Sequence, residues 1–402
     1  MINIENFIAQ HITFRKESFF HKDMEANKDK LSVGIKDKSV LVIGGGGTIG
    51  SSFIRELLAF EPGSLVVVDI SENYLTELTR DIRSRYNMKV PDTYITYPIS
   101  FGDPLFDKVL EQYGPFDIVA NFAAHKHVRS EKDHYSVTAL LENNIVKAEN
   151  LLGKLSKNPP EHFFCVSTDK AANPVNIMGA SKKIMEEVIM SYSSLFPITT
   201  ARFANVAFSN GSLLAGYLER LMKGQPFSCP SDIRRFFVSP QESGQICLMA
   251  CMLGNSGDIF FPKLDDGQMM NFRDITISFL KELGYEPLIC STEEEARYEA
   301  TKLQPDSKKY PVYFFVSETT GEKTYEEFYT EGEELDRDSF HALGVIKNAT
   351  KKSLVEIERM IGNLNRVLRK PSLTKGDIVM LMSDFLPNFH HVETGKNLDQ
   401  KM

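Results

Sequence analysis

A doubly wound parallel α/β sheet is the fold this sequence predicts, and three features predict it. Short apolar strands alternate with helical segments from Lys38 to Val206. The segment SLVVVDI is a run of consecutive apolar residues, the pattern of a strand buried on both faces. A glycine-rich turn, GGGGTIG, separates the first strand from the first helix of that alternation.

Taken in order, residues 1–36 are polar and charged, with a weakly amphipathic start at Ile4, Phe7, Ile8 and Ile12. They read as an arm or short helices packed on the body or on a neighbouring subunit, with a mobile tail as the alternative. SVLVIGGGGTIGSSFIRELLAF is strand, turn and helix; SLVVVDI is the second strand and YLTELTRDIRSRY the helix after it. TYITYPIS and DIVANFAA are the third and fourth strands, and VTALLENNIVKAENLLGKLS is one long helix. HFFCVS and ITTARFANV supply the fifth and sixth strands. Residues 37–206 thus form the sheet domain, with a later contribution from about 236–262, where a strand, the helix ESGQICLMACML and the strand DIFFP follow one another.

Residues 207–345 read as a smaller α/β region for substrate. It holds the helix LLAGYLERLMKG, a Pro-rich turn, the helix FRDITISFLKELGY, the charged helix face TEEEARYEATK and the late strand YPVYFFVS. Residues 346–402 are a C-terminal helical extension: KKSLVEIERMIGNLNRVL, a break at Pro371, a shorter helix and a polar tail. There is no internal repeat.

The 402-residue chain is 42% hydrophobic and 25% charged, enough for a sizeable core in a soluble protein. A net charge of −8 argues against bulk binding to nucleic acid or an anionic membrane, while leaving room for a local basic pocket. The five cysteines form no CxxC pair and read as reduced thiols; Cys247 and Cys251 fit core packing on a helix. No His/Cys/Asp cluster suggests a metal. The N-terminus lacks an apolar leader, and no run reaches the ~20 apolar residues of a membrane helix, so a soluble, cytoplasmic protein is expected.

The chemistry begins at Gly44–Gly50. This segment satisfies GxxGxxG from Gly44 and GxGxxG from Gly45, between a strand and a helix. Glycines there permit the tight turn and a close approach to a pyrophosphate, whose charge faces the N-terminus of the helix opened by Thr48 and Ile49. Asp69 ends the second strand, 19 residues past Gly50. Its carboxylate can accept both adenosine-ribose hydroxyls and repel a 2′-phosphate, favouring NAD over NADP; a helix N-cap is the other reading, which Ser71 could equally provide. Asp103 could reach the adenine edge or simply form the turn before Pro104. Ala123 and Ala124 are small enough for a cofactor to lie against the sheet edge.

Ser167-Thr168-Asp169-Lys170 follows the fifth strand, and its continuation AANPVNIMGASK ends at Lys182. Adjacent Asp and Lys can be an acid and a base, or a plain surface ion pair. A lysine base must be partly neutral near pH 7 and an acid partly protonated, so the catalytic reading requires a partly desolvated pocket.

GGGGTIGSSF, NFAAHKHV, VSTDKAANPVNIMGASK, RFANV, RRFFVSPQES and TGEKTYEE occur in one order across Lys38 to Tyr329. With them the chain resembles the UDP-N-acetylglucosamine 4,6-dehydratases of the polysaccharide-biosynthesis branch of the extended short-chain dehydrogenases/reductases. The NIMGASK variant is most similar to the subgroup making precursors of diamino-sugars such as bacillosamine and legionaminic acid. The resemblance implies a Rossmann fold, a retained NAD and a homo-oligomer. It also implies an intramolecular redox cycle: oxidation at C4 of UDP-N-acetylglucosamine or a related UDP-sugar, elimination of water across C5 and C6, and return of the hydride to C6.

By that resemblance Lys170 is the base at C5, Asp169 the acid at C6, and Thr168 a hydrogen-bond partner of the C4 oxygen. Lys182 holds the nicotinamide ribose. Met178 stands where the wider superfamily has its tyrosine base, which leaves the C4 proton to Asp169 or to a relay through Thr168 or water. Asn205 and Arg235 match residues that hold the substrate's phosphates, Arg235 through a fork suited to phosphate oxygens; Arg234 is a solvated neighbour. Lys126 is a further substrate contact, whereas His125 and His127 are packed or exposed. The family's RPGEK element is present as Thr319–Lys323, with Glu322 kept for substrate and the arginine absent. Two alternatives stay open: a UDP-sugar 4-epimerase on the same fold, and a catalytically silent NAD-binding scaffold.

Overall fold

The computed structural model describes residues 2–317, 323 and 325–391. Six strands build the parallel part of the main sheet: β1 (Ser39–Ile43), β2 (Ser64–Asp69), β3 (Thr93–Pro98), β4 (Ile118–Asn121), β5 (His162–Val166) and β6 (Ile198–Ala201). Their order in space is β3-β2-β1-β4-β5-β6. The chain therefore reverses direction across the sheet between β1 and β4, and opens a crevice at the strands' C-terminal ends. β1, β2, β4, β5 and β6 are almost wholly buried, which explains why their sequences read as continuous apolar runs. Ile259–Pro262 adds a parallel strand beside β6; Leu343–Ile346 and Leu335–Asp336 extend that edge antiparallel. The fold is the Rossmann arrangement that the alternation predicted.

One core lies on both faces of this sheet; a second gathers around the three-stranded sheet Glu286–Cys290, Lys309–Phe315 and Phe227–Pro230. The N-terminal residues form three short helices packed on the body, one of the readings left open by the sequence. Phe7, Ile8 and Ile12 enter the second core, while Phe20, Leu31 and Ile35 enter the first. Arg15 pins the arm, donating from Nε and Nη2 to the two carboxylate oxygens of Glu242 at 2.9 Å each. Cys247 and Cys251 are buried in the helix Pro240–Leu253, as packing residues should be.

Several elements differ from expectation. Pro104–Tyr113 is a helix that the apolar pattern alone did not suggest, though Asp103 at its N-cap and Pro104 at its first position are its markers. The predicted long helix is present, running through His134–Leu141 and Lys147–Leu155 with a π-helical turn over Glu142–Val146 between them. The predicted sixth strand stops at Ala201. Asn205–Val206 leaves the main sheet to pair in parallel with Phe237–Val238, which sets Asn205 beside Phe237.

Candidate active site

The site grows from the turns at the ends of β1, β4 and β5. Gly44 has φ +74°, and a Cβ there would lie 2.5 Å from the Ala123 backbone nitrogen. The end of β1 and the loop after β4 thus touch, and only glycine fits between them. At Gly50 an added Cβ would sit 2.4 Å from the Gly44 carbonyl oxygen, so the helix Thr48–Leu58 starts directly on the turn. At Gly47, by contrast, the nearest atom to such a Cβ is 3.6 Å away. A side chain at Gly47 would thus meet only ordinary contact, and the backbone N–H groups at this helix N-terminus suit a pyrophosphate. Thr48 also accepts a hydrogen bond from Asn210 N at 2.9 Å, tying the turn to the loop after Asn205. Ile49 is half-buried in the same first turn.

Asp69 closes this half of the site. Its Oδ2 accepts from Gly46 N at 3.0 Å and its Oδ1 from Ser71 N at 2.9 Å. The helix cap at this point is Ser71, whose hydroxyl accepts from Tyr74 N, so the capping alternative for Asp69 falls away. Asp103 forms the turn that the sequence allowed, its Oδ2 accepting from Ser100 N at 3.1 Å while its side chain remains exposed. Ala123 and Ala124 line the loop after β4 half-buried, Ala123 N donating to Asn121 Oδ1. Lys126 and His127 on the same loop are exposed.

The end of β5 carries Thr168, Asp169 and Lys170. Asp169, only 3% exposed, accepts at Oδ1 from Thr168 Oγ1 (2.8 Å), Lys170 N (2.8 Å) and Lys170 Nζ (2.9 Å). Asp and Lys here are a buried, hydrogen-bonded unit rather than a surface ion pair. Glu326 and Arg235 close the group from the second half of the chain. Glu326 Oε1 lies 3.7 Å from Lys170 Nζ and 3.9 Å from Arg235 Nη2, both Glu326 and Arg235 being 5% exposed. Arg235 also donates to the Lys323 carbonyl oxygen at 2.9 Å, while the exposed Arg234 reaches only the Asp266 carbonyl.

The electrostatics differ from the expectation of a partly neutral lysine. Burial by itself would lower the pKa of Lys170, but Asp169 and Glu326 outweigh burial and the nearby Arg235, and hold it above the ordinary lysine value. Burial raises Glu326 above the usual carboxylate range, with Asp169 adding to it, against Lys170, Arg235 and Lys323. Glu326 Oε2 is buried with no hydrogen-bond partner among the described residues.

The helix Ile177–Ser191 starts against this group. Gly179 abuts Lys170, since a Cβ there would meet the Lys170 carbonyl oxygen at 2.7 Å. Asn176 caps the helix through Gly179 N. Met178 is buried, its backbone nitrogen donating to Glu131 Oε1 at 2.9 Å. Lys182 is also buried and donates to the Val166 carbonyl oxygen at 2.7 Å; burial lowers its pKa, against the influence of Cys165 and Glu186.

Sequence reading missed three supports of the site. Asn144, in the π-turn, bridges His125 backbone and Ser181, so it holds the loop after β4 to the Lys182 helix; two adjacent asparagines in mid-helix were its signal. Glu186 accepts from Ser167 at 2.6 Å and from Arg202 bidentately at 2.9 and 2.8 Å. Arg202 reaches on to the Phe328 carbonyl and Glu333, fastening the segment that bears Glu326. No local pattern announces this last link. Of the predicted site residues, Asn205 lies half-buried beside Phe237, and Glu322 falls outside the described residues.

Comparison with known proteins gives the context. A sequence model described as polysaccharide biosynthesis protein matches residues 40–348. The chain is 28% identical over 320 residues to the probable polysaccharide biosynthesis protein EpsC of Bacillus subtilis, covering 79% of this chain but 51% of that one. It therefore spans about half the length of that relative. UDP-glucose 4-epimerase of Rickettsia canadensis is 24% identical over 345 residues, covering 82% of this chain and 97% of the epimerase. Among solved structures, a double mutant of DesIV, a dTDP-glucose 4,6-dehydratase from Streptomyces venezuelae with NAD bound, superposes with a TM-score of 0.56 at 17% identity, covering 81% of this chain and 96% of that one. That likeness establishes the fold.

Proposed function

Because the chain belongs to the polysaccharide biosynthesis protein family, we propose that it is a nucleotide-sugar-modifying enzyme of the extended short-chain dehydrogenase/reductase type. More closely, it acts with NAD as a 4,6-dehydratase of UDP-N-acetylglucosamine, on the route to a diamino-sugar. The observation that supports this reading most is the buried unit of Thr168, Asp169 and Lys170, joined by hydrogen bonds at the end of β5. An enzyme that only oxidises and re-reduces C4 has no need of an adjacent acid and base; elimination across C5 and C6 needs both.

The positive φ at Gly44 and the tight glycine turn onto the helix Thr48–Leu58 fit a dinucleotide. Gly44, Gly47, Thr48, Ile49 and Gly50 would hold its pyrophosphate, Asp69 the adenosine ribose, Asp103 the adenine edge, Ala123 and Ala124 its flank along the sheet, and Lys182 the nicotinamide ribose. When bound, NAD supplies the hydride acceptor and donor that oxidises the sugar at C4 and reduces it at C6. Lys126 and Asn205 from the first half of the chain and Arg235 from residues 207–345 take the sugar nucleotide.

Met178 cannot accept a proton, so Thr168 passes the C4 hydroxyl proton to Asp169 along their hydrogen bond. Lys170 takes the C5 proton, made acidic by the C4 ketone. The electrons of the C5–H bond form the C5–C6 double bond as the C6–O bond breaks, and the hydroxyl leaves as water with the proton held by Asp169. Lys170 then returns its proton to C5. A cytoplasmic location and a homo-oligomeric state belong to the same reading, the second being open to sedimentation analysis.

Incubation with UDP-N-acetylglucosamine, followed by mass spectrometry and NMR, is expected to yield a 4-keto-6-deoxy product lighter by one water. Lys170→Ala should lower turnover about 10²–10⁴-fold while calorimetry still registers sugar-nucleotide binding. A second reading, UDP-sugar 4-epimerase, is favoured by the match to nearly the whole Rickettsia canadensis epimerase. A 4-epimer formed without water loss, with Lys170→Ala still active, would establish that reading instead.

A further inference from the structure

Lys170 lies between two buried carboxylates, and the two are not alike. Asp169 Oδ1 receives three donors, from Thr168 Oγ1, Lys170 N and Lys170 Nζ. Glu326 has no such support: Lys170 Nζ lies 3.7 Å and Arg235 Nη2 3.9 Å from its Oε1, and its Oε2 has no hydrogen-bond partner among the described residues. A buried carboxylate with an unmatched oxygen is costly to keep charged, whereas a carboxylic acid there is not. The groups facing Glu326 are Lys170, Asp169, Arg235 and Lys323.

A lysine that is to take a C5 proton must first be neutral, and this lysine is held charged by its neighbours. We propose, resting on the dehydratase reading, that Glu326 is the proton partner of Lys170: when the 3.7 Å between Lys170 Nζ and Glu326 Oε1 closes to hydrogen-bond distance the two share one proton, and its transfer to Glu326 leaves the amine free for the C5 hydrogen. In the transfer an N–H bond of the ammonium breaks and an O–H bond forms on the carboxylate. Both charges vanish together and no electrons change owner. Glu326 acts through Lys170 and is therefore a positioning residue. Its place is held by Arg202, which donates to the carbonyl of Phe328 two residues on.

Sharing has a signature that a merely structural glutamate lacks. While the pair keeps one proton, the fraction with neutral Lys170 does not depend on pH. Remove the carboxylate, and neutral Lys170 must appear by ordinary titration, about tenfold more for each pH unit below its pKa. Two measurements on the full chain read this, each on wild type, Glu326→Gln and Glu326→Asp.

The first is the pH profile of kcat for water loss from about pH 6 to pH 9, the range over which a one-proton pair stays in the same charge state. The second is competitive acetylation of Lys170 with acetic anhydride, read by peptide mapping, which reports the neutral amine without any substrate. The expected result is a flat wild-type profile in both. Glu326→Gln should show a rise of about tenfold per pH unit in both, and Glu326→Asp should restore the flat form. A tenfold rise per unit already in wild type, or equal slopes in wild type and Glu326→Gln, overturns the proposal. If no UDP-sugar is dehydrated the functional reading fails, and the acetylation profiles still decide the role of Glu326. Should Glu326→Gln not fold, the wild-type and Glu326→Asp profiles suffice, since a sloped wild type rejects sharing.

Discussion

Asp69 shows how much one carboxylate can do. It accepts backbone N–H groups from the glycine turn and from the start of the next helix, Gly46 N and Ser71 N, and stays half-exposed toward the crevice. Asp69→Ala leaves both donors without their acceptor and removes the group proposed for the adenosine ribose. Hydrogen bonds to a charged group contribute about 1.5–3 kcal/mol, so NAD affinity should fall roughly 10- to 100-fold, measured by calorimetry. Preference for NAD over NADP should narrow in the same variant, because the repulsion of a 2′-phosphate goes with the charge. The Asp169–Lys170 pair was legible as residues but not as a charge state. The catalytic reading asked for a partly neutral lysine, but Asp169 beside it and Glu326, distant in sequence, together outweigh burial and raise its pKa.

At the scale of elements, the junction of β1 with the helix Thr48–Leu58 sets where a dinucleotide could lie. The helix is amphipathic, with Phe53, Ile54, Leu57 and Leu58 buried and Gly50 turned onto the Gly44 carbonyl. Gly50→Ala must push the helix away from the turn, at about 1–3 kcal/mol. We expect a lower urea midpoint and weaker NAD binding together, since the same displacement moves the N–H groups that would face the pyrophosphate. The π-turn at Glu142–Val146 is a second such element: it lies within the long helix that sequence periodicity drew, and it aims Asn144 at both the loop after β4 and Ser181.

Across the whole molecule, Arg202 is the tie between the halves of the site. Fully buried, it binds Glu186, Glu333 and the Phe328 carbonyl, so it links the base of the Asp169 loop to the Glu326 segment. Arg202→Ala leaves the buried Glu186 with only the Ser167 hydroxyl and the more distant Lys183 beside it, at about 3–5 kcal/mol of stability, read by chemical denaturation. Burial would raise the Glu186 pKa, but Arg202 outweighs it and holds the carboxyl below its usual value. The stability from that pair is present above the unfolded-state pKa and is lost as pH falls through the lower folded one; the deficit of the variant should therefore narrow in acid. The thiols report the same tight interior: all five cysteines are buried, and burial pushes Cys165 and Cys229 up to about 11. Among the described residues no helix is long and apolar enough to cross a membrane.

The sequence by itself determined what is local. Runs of apolar residues, a glycine turn between strand and helix, and an acid beside a lysine at a strand end are written in consecutive positions, because backbone geometry and side-chain period act over a few residues. Tertiary structure decided what depends on distant groups meeting in a low-dielectric interior. Folding brought Glu326 and Arg235 to Lys170, and Arg202 to Glu186. Charge state is set by neighbours and by lost water, and neither is a property of a stretch of chain.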